Sequence, residues 1–459
     1  MSRRRAVRSA IVLASVLMVV FLSGCDWTTY FQGSKRAGWG VYEPALNAAS
    51  APSLSKKWQT SDSGPDHGVF SQAIVAGGKV YWGSFDGYER ATDTAGHLVW
   101  KTFLGTTSPP ACTEPSEAGV VSTPTVVTDT STGTSVMYVG GGDSKMYALN
   151  ALTGAVLWST PVGSKPDHFV WSSPLVNGNN VYIGVSSFGD CPLVQGQLLE
   201  LDESTGAIKH TFNVVPNGCT GGGVWGSPTL DTSAGTLYFT TGNGGACGSS
   251  EPLAPAIVEV HASDLTLVGS WAVPPNQQGG DSDFGSTPTL FTGVIGGQQR
   301  NLVGAINKNG IYYTLGRDAL ASGPLWSRRI GGGGDDPISG TGDVASSAYD
   351  GTKLYVGGGF IQTSPTSSCN GTVNALNPST GALVWSDCFQ DGNPLGGVSG
   401  VNDVVTFGEG NNLVVVSAAT GATLFTFAGA GLFWAPPSIA NGTLYEGDMS
   451  GNLYALAPQ

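Results

Sequence analysis

The chain has 459 residues, of which 69 are glycine and 12 tryptophan, and only 12% are charged, with a formal net charge of -13. A surface this acidic repels nucleic acid and anionic lipid headgroups, which excludes both as partners held by charge. Long helical heptads and long charge runs are absent, and the balance of residues is that of many short strands joined by tight turns.

Arg3, Arg4, Arg5 and Arg8 precede an apolar run over residues 10–21, the pattern of a secretory signal and too short for a stable membrane span. Leu22-Ser23-Gly24-Cys25 follows at once and resembles the lipobox of bacterial lipoproteins. The resemblance implies cleavage after Gly24 and lipidation of Cys25. The exported chain would then be anchored to the outer face of the cytoplasmic membrane or another envelope membrane. The alternative is an ordinary signal peptide with a chance cysteine. One acyl chain anchors only marginally, so stable attachment requires more than one. Loss of residues 1–24 removes four arginines and no acid, taking the net charge from -13 to -17. Residues 25–53 read as a lipid-anchored linker that settles onto the body formed by 54–459.

Residues 54–60 (LSKKWQT) resemble the last strand of a repeat that has lost its beginning. A fuller copy spans residues 136–158: a strand around Met137-Tyr138-Val139, a glycine-rich turn, a second strand over 145–149, a Thr153-Gly154 turn and a third strand ending at Trp158. The strand, Thr-Gly turn and strand recur at 198–208, 374–385 and 413–425, and 453–456 begins another copy. Residues 443–457 supply opening strands without a closing one, so the two termini complete one unit and leave no open sheet edge.

A second marker counts the units independently. VSTPTV (121–126), WSSPLV (171–176), WGSPTL (225–230) and GSTPTL (285–290) share small, Pro and apolar positions. FSQAIV (70–75), VASSAY (344–349) and WAPPSI (434–439) are weaker copies, and 398–404 fills the remaining slot. The expected fold is all-β: an eight-bladed propeller of four-stranded antiparallel blades, closed by pairing of the terminal strands. Seven blades is the alternative, because 396–407 is the least regular copy, and a tandem pair of β-sandwiches is the other.

Six cysteines besides Cys25 can pair in fifteen ways in an exported chain. Cys219 with Cys247 and Cys369 with Cys388 each flank one repeat, which leaves Cys112 with Cys191. No Cys-x-x-Cys-His occurs, so covalent c-type haem is not expected.

The strand followed by Ala-Leu-Asn/Asp, Thr-Gly and Trp resembles the tryptophan-docking repeat of pyrroloquinoline quinone (PQQ)-type propellers over essentially residues 56–458. The resemblance implies that Trp100, Trp158, Trp326 and Trp385 pack against neighbouring blades. It does not fix an activity, because the family includes dehydrogenases and cofactor-free scaffolds. If the markers are innermost strands, Phe70, Trp171, Trp225 and Trp434 face one end of the axial channel, where they either stack on a flat ligand or plug the funnel.

Residues 219–243 resemble the stretch of quinoprotein alcohol dehydrogenases in which a Trp, here Trp225, floors the quinone. The Asn of the following Thr-Gly-Asn, here Asn243, binds calcium in those enzymes. A turn role for Asn243 before Gly244 is the bland alternative. Asp281-Ser282-Asp283-Phe284-Gly285 resembles the family's approach to the catalytic aspartate, with Asp283 the better match, acting as base and metal neighbour. Lys308 matches the residue that holds the quinone oxygens and favours their reduced form. A solvated turn at the aspartates and an exposed Lys beside an Asn309-Gly310 hairpin are the competing readings.

Two departures stand against the match. No adjacent cysteine pair occurs, and the acidic calcium ligand's position falls on Gly189, with Asp190 displaced by one. His67 and His168 sit in matching Pro-Asp-His segments and are read either as proton carriers at the channel mouth or as hydrogen-bonded loop residues. The residues therefore support two functions. One is a PQQ- and calcium-dependent dehydrogenase oxidising a small alcohol or sugar, with Trp171 and Trp434 also lining the cofactor. The other is a cofactor-free platform for a protein partner.

Overall fold

The recurring unit folds as an antiparallel sheet, and eight such sheets radiate around one axis in the computed structural model. Residues 26–40, 43, 45–64, 67–112 and 115–459 are described; the signal region and Cys25 lie outside them. Blades 1 to 7 span residues 74–103, 125–161, 175–213, 229–272, 289–329, 348–389 and 399–428. Blade 8 combines residues 438–458 with Leu54–Thr60, whose Trp58 lies opposite Ala455. The eight-bladed reading holds, and the irregular 396–407 copy is a full blade extended by Trp39–Gly40, which pairs in parallel with Ser399–Val401. All three disulfides form as expected: Cys112–Cys191, Cys219–Cys247 and Cys369–Cys388. No helix among the described residues is long and apolar enough to cross a membrane.

The Thr-Gly and Trp positions explain each other. Before most outer-strand tryptophans the ladder skips one residue, a β-bulge that re-aims the indole toward the next blade. Trp100 then donates to Ala151 O at 3.0 Å, Trp158 to Glu203 O at 3.0 Å, Trp326 to Pro378 O at 3.0 Å and Trp385 to Ala418 O at 3.1 Å. Trp58 does the same across the closure, to Thr94 O at 2.9 Å. The ring lies on the glycine of the neighbour's turn: a Cβ on Gly154 would stand 2.6 Å from Trp100, and the backbone there has φ +72°. Only glycine meets both conditions. Trp100→Ala is expected to cost about 3–5 kcal/mol, as lost burial plus a cavity between blades 1 and 2, measured by denaturant unfolding.

The Ser/Thr-Pro marker has an equally local cause. Gln72 N donates to Thr123 Oγ1, Thr123 N to Ser173 Oγ, Ser173 N to Ser227 Oγ, Ser227 N to Thr287 Oγ1 and Thr287 N to Ser346 Oγ, all at 2.8–3.0 Å. Each hydroxyl takes the amide of the preceding blade, and the prolines at 124, 174, 228 and 288 bring no N–H needing a partner. A belt of hydrogen bonds thus links the innermost strands of six consecutive blades.

Residues 26–40, read above as part of a linker, cross the narrow end of the channel and touch every blade. Trp27 pairs with Val75, and Thr28, Ser34, Lys35, Ala37 and Gly38 accept backbone bonds from blades 2, 4, 5, 6 and 7. The buried Arg36 reaches blade 3 at Pro174 O (2.9 Å) and blade 4 at Pro228 O (3.2 Å). Asn441 of blade 8 donates to Asp26 at 3.1 Å. The segment is a floor, fixed by groups the inner strands leave free.

Candidate functional site

Above that floor a cavity of about 650 Å³ opens at the other end of the axis. Tyr30 and the hydroxyls of Thr123, Ser173, Ser227 and Thr287 form its base. Phe70, Trp171, Trp225 and Trp434 all line it, because each lies four residues before the start of an innermost strand, at the same register. Phe70 stacks on Phe85 at 4.6 Å and lies 4.8 Å from Trp434, so one wall is apolar. Trp171 donates to Ser187 O and Phe188 O, both at 3.1 Å, which fixes its ring.

The opposite wall is ionic. Lys308 Nζ lies 2.6 Å from Asp281 Oδ2, 3.2 Å from Asp283 Oδ2 and 5.4 Å from the centre of the Trp225 ring. Asn243 donates through its backbone to Asp283 Oδ1 at 2.5 Å and through its amide to Asp281 Oδ1 at 2.7 Å, and its Oδ1 accepts from Ser282 N at 2.8 Å. Asp190 faces the same cavity. The Trp225 ring lies against Gly285, where a Cβ would come within 2.3 Å of it. Trp225, Asn243, Asp283, Lys308, Asp190, Trp171 and Trp434 therefore converge on one chamber.

Three carboxylates around one ammonium make an unbalanced cluster. Burial pushes Asp283 up to about 7, with Asp281 and Asp190 adding repulsion and Lys308 opposing it. Burial and the Asp281 charge also raise Asp190. Burial disfavours the Lys308 ammonium, but Asp283 and Asp281 outweigh it and hold Lys308 above the ordinary lysine value.

Asp281 pairs with Lys308 more closely than Asp283 does, although the motif match favours the latter. Phe85 and Phe188 were not anticipated as lining residues; the repeated Ser84-Phe85 and Ser187-Phe188 pairs carry the signal. His67 and His168 are not among the lining residues, and His168 Nδ1 lies 3.1 Å from Ser164 O, a loop contact. The Cys112–Cys191 bridge packs in one apolar cluster with Phe85, Phe169 and Phe188, beside Trp171.

One further buried carboxyl stands apart from these. Asp343 accepts from Gly359 N at 2.5 Å, its Oδ2 has no partner among the described residues, and burial pushes it up to about 7. The folded protein thus holds a proton there that the unfolded chain releases near pH 4, and the associated stability is lost as pH rises through about 7. Asp343→Asn is expected to stabilise the protein by about 2–4 kcal/mol at pH 8, by roughly a third of that at pH 5, and to change little at about pH 3.5, read from paired urea melts.

Residues 90–251 and 369–458, more than half of the chain, match the PQQ_2 family profile, described as outer membrane protein assembly factor BamB. A polyvinylalcohol dehydrogenase of Sphingopyxis sp. (strain 113P3) is 24% identical over 75% of this chain and 56% of its own length. A second one, from Pseudomonas sp., is 26% identical over 76% of this chain and 58% of its own. The chain thus spans little more than half the length of these relatives. Quinohemoprotein alcohol dehydrogenase from Comamonas testosteroni superposes with a TM-score of 0.74 at 19% identity, over 94% of this chain and 80% of that one. BamB from Moraxella catarrhalis superposes with a TM-score of 0.54 at 16% identity, over 88% and 97%. With its repeats, docking tryptophans and profile match in agreement, the chain belongs to the PQQ_2 family of β-propellers.

Proposed function

We propose that the protein is an extracytoplasmic, lipid-anchored quinoprotein-like dehydrogenase that oxidises an alcohol or sugar. The observation that carries this reading is the meeting of Trp225, Asn243, Asp283 and Lys308 in one chamber. The chemistry of the residues suits the implied cofactors. Asp190, Asp281, Asp283 and the Asn243 amide bring oxygens, the donor type calcium takes, to one chamber, although the three carboxylates do not close to within one ion's reach of each other and the amide oxygen accepts from Ser282 N. Trp225 offers a flat face on which a quinone can stack, with Lys308 Nζ 5.4 Å from the ring centre. Bound there, PQQ would supply the acceptor for the hydride of the alcohol carbon. Asp283 would take the hydroxyl proton at its carboxylate, and Lys308 would place positive charge beside the quinone oxygens. The alcohol dehydrogenase names of the relatives support that substrate class.

A specific observation favours a second reading, a cofactor-free platform for a protein partner: Lys308, Asp281 and Asn243 already satisfy one another. One experiment separates the two. Purified protein is incubated with PQQ and calcium, desalted, and assayed for quinone absorbance and for dye reduction with primary and secondary alcohols and sugars. Retained absorbance with turnover is the expected result; loss of all quinone on desalting overturns the enzyme reading.

A further inference from the structure

The bulge that aims each docking tryptophan, and that recurs in blade 4 with Gly269 in the tryptophan's slot, also turns the two residues before that slot toward solvent. Leu98-Val99, Val156-Leu157, Leu267-Val268 and Leu383-Val384 occupy these slots in blades 1, 2, 4 and 6, and all eight are 42–53% exposed. Ile208 and Leu325 hold one such slot each in blades 3 and 5. The fold does not demand aliphatic residues there, since blade 8 has Lys56 and Lys57 at the same place.

These side chains share one height on the molecule. Leu98 lies across from Thr92, Thr92 from Val80, and Val80 from Val75, at the end of the innermost strand away from the cavity. The ring repeats this register blade by blade, so the aliphatic pairs form a planar belt perpendicular to the axis. Among the described residues, thirteen of the sixteen exposed large apolar side chains lie toward this end; only Phe103, Ile338 and Phe360 lie toward the cavity end. Isolated exposed aliphatics are ordinary, but such segregation on a plane is not.

Trp27 pairs with Val75, so the chain emerges toward Cys25 at the height of the belt. We infer that this end of the propeller rests on a lipid bilayer, with the aliphatic belt at the level of the headgroups and the cavity mouth facing away from the membrane. A flat partner matches a planar belt, and the point where residues 1–25 join the body sits in that plane. Because the net charge is acidic, the contact is apolar and suits zwitterionic lipid.

The test uses the exported chain with its Cys25 thiol coupled to a maleimide phospholipid in phosphatidylcholine vesicles, so attachment does not depend on natural lipidation. A photoreactive benzoylphenylalanine is placed in turn at Val99, Val268, Ile338 and Phe360, and lipid adducts are quantified by mass. A tether alone would tilt the body onto blades 1 and 8, next to Asp26, whereas Val268 lies on the far side of the ring. The expected result is adduct yield at Val268 within about twofold of that at Val99, and at least about tenfold above Ile338 and Phe360. Adducts at Val99 alone, at the cavity end, or to a second copy of the chain instead of lipid overturn the inference. Loss of the Val99 adduct in Leu157→Ser/Val268→Ser/Val384→Ser, with unchanged circular dichroism, is the confirming control.

Discussion

Asp283→Asn is expected to lower dye-coupled alcohol oxidation by about 10³-fold in protein loaded with PQQ and calcium, with little change in cofactor retention. The substitution keeps size and one ligand oxygen but removes the group able to accept a proton. Size matters because a Cβ on Gly242 would already lie 2.8 Å from Asp283 Oδ1, so the site admits nothing bulkier. Lys308 keeps its 2.6 Å partner Asp281, and the cluster loses a carboxyl that burial disfavours in its charged form. Folding should therefore survive, and the unfolding transition checks this. Asp281→Asn is expected to cost less turnover and more cofactor, because Asp281 holds both Lys308 and the Asn243 amide. Equal losses in both variants would assign the two aspartates one shared electrostatic role.

Arg36→Ala is expected to destabilise the fold by about 3–5 kcal/mol in denaturant titration, the largest effect of a single residue outside the blades. Its guanidinium donates to Tyr30 O at 2.6 Å, Thr29 Oγ1 at 2.7 Å, Pro174 O at 2.9 Å and Pro228 O at 3.2 Å. Burial pushes it down to about 9, so it stays charged at neutral pH and its carbonyl partners replace water. Alanine leaves Tyr30 O and Pro228 O without this donor beneath the cavity, and Tyr30 forms part of the base. Loss of cofactor retention should accompany loss of stability. Arg36→Lys is not expected to restore either, because an ammonium cannot span blades 3 and 4 as the planar fork does.

The repeats were legible because each element of the unit has a local physical reason: glycine under an indole, a hydroxyl before a proline, a bulge before a tryptophan. The same holds for Cys219–Cys247 and Cys369–Cys388, which flank single repeats. Trp225, Asn243, Asp283 and Lys308 were found by motif, and the ring brings them together because equal registers share one radius. The floor over residues 26–40 was not legible. Its contacts run mostly through backbone atoms, Ser34 O to Leu230 N and Lys35 O to Leu290 N among them, which leave no pattern in side chains. Nor could spacing rank Asp281 against Asp283, since two residues apart at a loop either one can turn toward Lys308.

The floor and the closing strand Leu54–Thr60 belong to the first 60 residues of the chain, while their partners run to Pro458 at its far end. A nascent chain therefore makes its latch long before the catch exists. Final closure has to await the last blade, and until then the early segment must be kept from wrong partners. A chain halted before blade 8 would leave Leu54–Thr60 without its partner strand and bare the apolar faces of blades 1 and 7 that blade 8 covers, the kind of surface that quality-control proteases and chaperones recognise.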